Sequence, residues 1–176
     1  KMPVWFPGYY LVRDFSRHVE GFKAIGTDGS KIRFKKVRKN VWRVYNDSAQ
    51  ALTISYRIYA FELTVRTSFI DAEQAYINGP SMFMYTEETR QRPSMVNFFP
   101  KFEWSKISTG LPAYGANQWT RIAENYDQLV DCPIIIGNHD LFTFDYKGIP
   151  HHVAMVGKAN YDRDKIKTDF WKIVDE

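Results

Sequence analysis

Hydrophobic and polar positions alternate along most of the first hundred residues. In the clearest stretch, Leu52, Ile54, Tyr56 and Ile58 fall on one side while Thr53, Ser55 and Arg57 fall on the other. Successive side chains of an extended chain point to opposite faces, so this alternation predicts a half-buried strand over 52–59. Lys31 to Val37 alternates in the same way, and Val41 to Tyr45 predicts its partner after Asn40. Thr27-Asp28-Gly29-Ser30 predicts a hairpin turn ahead of them, since glycine tolerates the positive φ that such turns need. Pro3 to Gly8 reads as a short extended piece closed by a Pro-Gly turn, 10–17 as a short helix or turn, and 18–25 as a strand. Asn46-Asp47-Ser48 turns the chain again, and 61–70, 81–86 and 102–109 read as further strands. The polar stretch 87–100 and the small-residue stretch 113–118 read as loops. Many short strands with turns every ~8–12 residues predict a mainly β, antiparallel sandwich.

The pattern changes near residue 125. Asn125-Tyr126-Asp127-Gln128-Leu129 predicts a capped helical turn. Residues 133–136, 141–146 and 151–156 read as strands of a second, smaller sheet. Asp162 offers an N-cap, and Ile166, Phe170, Ile173 and Val174 form the apolar stripe of a final helix. This places a domain break between 1–124 and 125–176.

Composition adds little beyond support for β structure: 13 Phe, 11 Tyr and 5 Trp are residues that suit pleated, half-buried surfaces. One cysteine, Cys132, excludes an intrachain disulfide, and its apolar surroundings fit an inert thiol. No apolar run reaches the ~18 residues of a membrane span, and no membrane partner is expected. His18, His139, His151 and His152 lack the helical i, i+4 pairing of a hydrolytic zinc site, so no residue is assigned as a metal ligand or as catalytic. The net charge of +4 is uneven. Lys31, Arg33, Lys35, Lys36, Arg38, Lys39 and Arg43 put seven cations into thirteen residues, with Phe34 and Trp42 interleaved. Such a face suits nucleic acid or an acidic glycan, with nucleic acid the less favoured partner. The favoured reading is a solvated hairpin whose long side chains protect its own edge.

Five segments, in order along the chain, carry a family resemblance. Pro3-Val4-Trp5-Phe6-Pro7-Gly8-Tyr9-Tyr10-Leu11-Val12-Arg13-Asp14-Phe15-Ser16-Arg17-His18-Val19 is the first. The others are Lys39 to Val44, Tyr56 to Thr67, Asn78 to Tyr85, and Asn125 to Ile134. Together they resemble the glycyl aminopeptidase family of zinc metallopeptidases, departing at Tyr9 and at Cys132, where serine is usual. The resemblance implies an N-terminal β-sandwich, without its first strands, followed by the opening strands and first helix of an incomplete thermolysin-like catalytic domain. It implies a non-catalytic piece that supports and caps the substrate cleft of a zinc-dependent parent. This piece itself has no cofactor; its partners are the rest of the catalytic domain and, in the parent, a peptide substrate. By the same resemblance, the turn carrying Tyr76, Asn78 and Ser81 is the cleft-facing candidate, with Asn78 accepting a hydrogen bond from the substrate's amine. The alternative for Asn78-Gly79-Pro80 is a tight turn between strands.

Overall fold

A computed structural model describes residues 1–6, 10–47 and 51–176. A 3-10 turn, Phe15–His18, leads into β1, Val19–Gly26. The chain reverses at the expected hairpin turn, where Gly29 takes φ +80° and Asp28 accepts a hydrogen bond from the Ser30 amide at 2.9 Å. Strands β2, Phe34–Arg38, and β3, Val41–Val44, form a two-stranded antiparallel ribbon. Strand β4, Leu52–Ile58, pairs antiparallel with β1, and its side chains alternate between half-buried and exposed as its sequence predicts. The expected turns at Pro7-Gly8 and at Asn46-Asp47-Ser48 fall wholly or partly outside the described residues.

The core lies on a four-stranded antiparallel sheet. Its strands are β5, Phe69–Ile70; β6, Gln74–Ile77; β8, Lys106–Thr109; and β10, Ile134–Gly137, in the order β5-β6-β10-β8. A second pair joins β7, Ser94–Asn97, to β9, Thr120–Ala123. Two short helices pack beside the sheet: α1, Gly79–Met82, and α2, Tyr126–Asp131. Asn125 caps α2 as expected, its side chain accepting from the Gln128 amide at 2.9 Å. The hairpin β11, Asp140–Tyr146, and β12, Ile149–Met155, turns through Lys147 and Gly148, both at positive φ. Helix α3, Arg163–Asp175, is capped by Asp162, which accepts from the Asp164 and Lys165 amides. It packs on β11 through Phe170 against Phe144 and Trp171 against Tyr146. Mainly β, antiparallel, with a C-terminal helix: this much of the expectation holds.

Several element assignments change. Of 61–70 only Phe69–Ile70 is strand, because Leu63 and Val65 find no core within the described residues and stand 65% and 76% exposed. The expected strand at 81–86 begins instead as α1, where proline in the first turn favours a helical start. The rest of it is extended but unladdered: the Tyr85 amide donates to the Lys1 carbonyl at 2.9 Å, and the Lys1 amine donates back at 2.6 Å. The polar stretch 87–100 contains β7, and 102–109 is strand only from Lys106. Residues 133–136 do not start a second sheet. Strand β10 sits between β6 and β8, pairing Ile134 with Ile77 on one side and with Thr109 on the other. The sheet therefore runs through the expected break at 124, since Ile134 and Ile136 bury fully only between those two partners.

Candidate functional site

The residues of the first and third resemblance segments meet. Fifty residues apart in sequence, 12–18 and 62–67 form the two walls of an open cleft of about 400 Å³. One wall is set by burial of Phe15 and Ser16, which fixes the 3-10 turn and leaves Arg13, Asp14 and Arg17 at the rim. Ser16 Oγ donates to Asp14 Oδ1 at 2.7 Å. The other wall is a loop closed on itself: Thr67 Oγ1 donates to the Glu62 carbonyl at 2.5 Å, and the Arg66 amide donates to Thr64 Oγ1 at 3.0 Å. Arg17 ties the walls together, its guanidinium 3.3 Å from Glu62 Oε1. Its Nε donates to His18 Nε2 at 2.9 Å. His18 also stacks on Tyr59 with ring centroids 5.9 Å apart.

Two of the three candidate residues lie beneath this cleft. Asn78 and Ser81 are 7% and 4% exposed and belong to one buried knot with Ser68. Ser68 Oγ accepts from the Asn78 amide at 3.0 Å and lies 2.7 Å from Ser81 Oγ, which itself donates to the Asn78 carbonyl at 2.9 Å. Asn78 Nδ2 donates to the Val65 carbonyl at 3.3 Å, so the turn holds the second wall from below. Ser81 lines a small cavity with His18, Tyr59, Glu62 and Thr67. Tyr76 stands apart, on the face of β6 opposite the buried Ala75 and Ile77. Sequence reasoning missed Ser68, Arg17 and Glu62 as parts of this site. Arg17 and Glu62 lie in the quoted segments and Ser68 directly follows one, but nothing in the spacing says that the segments meet.

The arrangement suits binding. The cleft mixes guanidinium and carboxylate groups around threonine hydroxyls, with no nucleophile set against a base. Among the described residues no group of three His, Cys, Asp or Glu side chains converges, so no donor set here fits a zinc ion. Burial pushes the Cys132 thiol up, with the Asp131 carboxylate adding to the effect, as befits an inert cysteine.

A buried histidine lies beside β8. His139 is 4% exposed; its Nε2 lies 2.7 Å from Ser108 Oγ, and Lys106 Nζ donates to its carbonyl at 2.8 Å. Burial first, then Lys106, lowers its pKa below the usual 6.5, while Asp140 opposes weakly. A base whose folded pKa is depressed adds stability above its unfolded pKa and withdraws it as pH falls. The protein is thus expected to lose stability on acidification from about pH 7 to about pH 5, above the carboxylate range. Urea unfolding at a series of pH values checks this, and His139→Gln should flatten the slope in that window.

Comparison with known proteins fits this architecture. Residues 1–138 match the family described as Peptidase M61 N-terminal domain. A crystal structure described as an aminopeptidase N family protein, from Idiomarina loihiensis, superposes with a TM-score of 0.90 at 32% identity. The match covers 98% of this chain but 30% of that one. No curated protein matches the chain. With the family match extending over most of its length, the chain belongs to the Peptidase M61 N-terminal domain family.

Proposed function

We propose that this domain is the non-catalytic N-terminal part of a zinc-dependent aminopeptidase of the glycyl aminopeptidase type, which packs against its catalytic domain and caps the substrate cleft. The observation that carries the reading is the cleft between 12–18 and 62–67 and the apolar rim around it. Leu11, Val12, Tyr59, Phe61, Leu63 and Val65 are all more than half exposed. Exposed large apolar side chains, gathered in this number in the two segments that form and flank the cleft walls, mark a face that another protein surface covers. The covering surface is the rest of the catalytic domain, to which 139–176 contribute opening strands and a helix of thermolysin-like type. Zinc, as the parent's cofactor, would be held by residues outside this chain and would supply Lewis-acid activation of the scissile carbonyl and of water. Asp14 and Glu62 supply negative charge for the free amine of a peptide substrate. Asn78 and Ser81 act as positioning residues beneath them, and Tyr76 belongs to the strand that carries the turn.

Kinetics of the full-length parent test this. Val65→Asp is expected to lower kcat/KM on glycyl amides about tenfold by loosening the docked face, with zinc content unchanged. Glu62→Gln is expected to raise KM several-fold, with kcat within about twofold, as removal of ground-state binding requires. Wild-type kinetics in both variants would overturn the reading.

A further inference from the structure

The β2–β3 ribbon carries charge that the cleft does not use. Of 24 basic residues, seven lie between Lys31 and Arg43 with no acidic residue among them, and the other 17 are outnumbered by 20 acidic ones. The positive excess of the chain is therefore concentrated in one hairpin. None of the seven forms an ion pair among the described residues. Lys35 and Arg43 are direct cross-strand partners, so two like charges share one face of a short ribbon. Such a pair is unfavourable in isolation and is relieved when an anion bridges it. Every residue of β2 is exposed.

We propose that this ribbon binds a linear acidic polysaccharide, one bearing sulfate or carboxylate groups at intervals along the chain. The rings settle the choice against single-stranded nucleic acid, which stacks its bases on open aromatic faces. Trp42 is sandwiched, stacked on Phe22 at 5.3 Å with Lys36 Nζ 4.6 Å from its centroid. Phe34 packs on Phe22, and Arg33 covers Tyr45 at 4.1 Å. A duplex or a lipid plane fits less well than a flexible chain. Lys35 and Arg43 lie on one face of the ribbon and Lys36 on the other, so no flat surface meets all of them. A duplex would also extend past the ribbon onto a remainder with 17 basic against 20 acidic residues, whereas a short glycan needs only the ribbon.

The substitution Lys35→Glu separates binding from folding, because it sets a carboxylate opposite Arg43 and so favours the hairpin. The probes are heparin hexasaccharide, a duplex DNA of equal charge, and vesicles of phosphatidylcholine with phosphatidylglycerol, at matched salt. Wild-type chain is expected to bind the hexasaccharide most tightly and to elute from heparin resin at higher salt than from a sulfonate exchanger. Lys35→Glu is expected to weaken hexasaccharide binding about tenfold, with Tm unchanged or raised, while Lys158→Glu, an equal charge change on a distant exposed loop, stays within about twofold. Equal losses in both variants, tighter binding of duplex or vesicles, or no retention at low salt would each overturn the proposal.

Discussion

A chain ended after Glu124 is expected not to fold, while one ended after Asn138 is expected to unfold cooperatively. The physical reason is the place of β10. It is the inner strand between β6 and β8, so its removal strips the ladder from both neighbours and opens two edges in the middle of the sheet. The same cut removes Tyr126, Leu129, Ile134 and Ile136, four members of the core cluster that includes Ala75, Ile77, Trp104, Leu111 and Ala123. At about 1.5–3 kcal/mol for each fully buried large side chain, their loss amounts to roughly 6–12 kcal/mol. Total stabilities of single domains are about 5–15 kcal/mol, so little remains. The longer truncation keeps the strand, the helix α2 with its Asn125 cap, and Asn138, whose side chain accepts from the Ser105 amide and donates to the Glu103 carbonyl. Circular dichroism with urea titration of the two truncations decides the matter. A cooperative transition in 1–124 would show that the fold ends before α2.

Local devices were legible in the sequence; long-range pairings were not. Asn125 and Asp162 announce their helices because a short polar side chain before an apolar run has one evident use. The alternation in β4 and the glycine of the first hairpin turn are equally local. Strand β10 misleads because Ile134-Ile135-Ile136 is apolar on both faces, which says that it is buried but not between which strands. Strand composition misleads again at Leu63 and Val65, where apolar residues sit in an exposed loop and not in a buried ladder. The cleft sits between these extremes. The segments 12–18 and 62–67 stood out for their resemblance, yet only the fold brings Arg17 to Glu62 and Val65 to Asn78.

The tightest constraint on that cleft is a glycine beneath it, and Gly79→Ala is expected to destabilise the domain by about 2–3 kcal/mol, the upper part of the usual range for forcing extra atoms into a filled space. A β-carbon at this position would lie 2.6 Å from the Val130 α-carbon, 3.0 Å from its carbonyl oxygen and 3.1 Å from that of Leu129. All three are backbone atoms of α2, so no rotamer change relieves the clash; α1 must move away from α2. For a chain of this length the melting temperature should fall roughly 5–10 °C. The displaced turn carries Asn78 and Ser81, so the buried knot with Ser68 opens at the same time. Amide exchange at Asn78, whose N–H is held by Ser68 Oγ, is therefore expected to accelerate more than exchange at Ile136, which is held in the ladder between Ala75 and Ile107. Ser81→Ala provides the contrast: it removes a hydroxyl from the knot without pushing the helices apart, at a cost of about 1–3 kcal/mol for the buried partner left behind. If Gly79→Ala melts within about 2 °C of the parent, α1 tolerates the shift, and the turn under the cleft is softer than its packing implies.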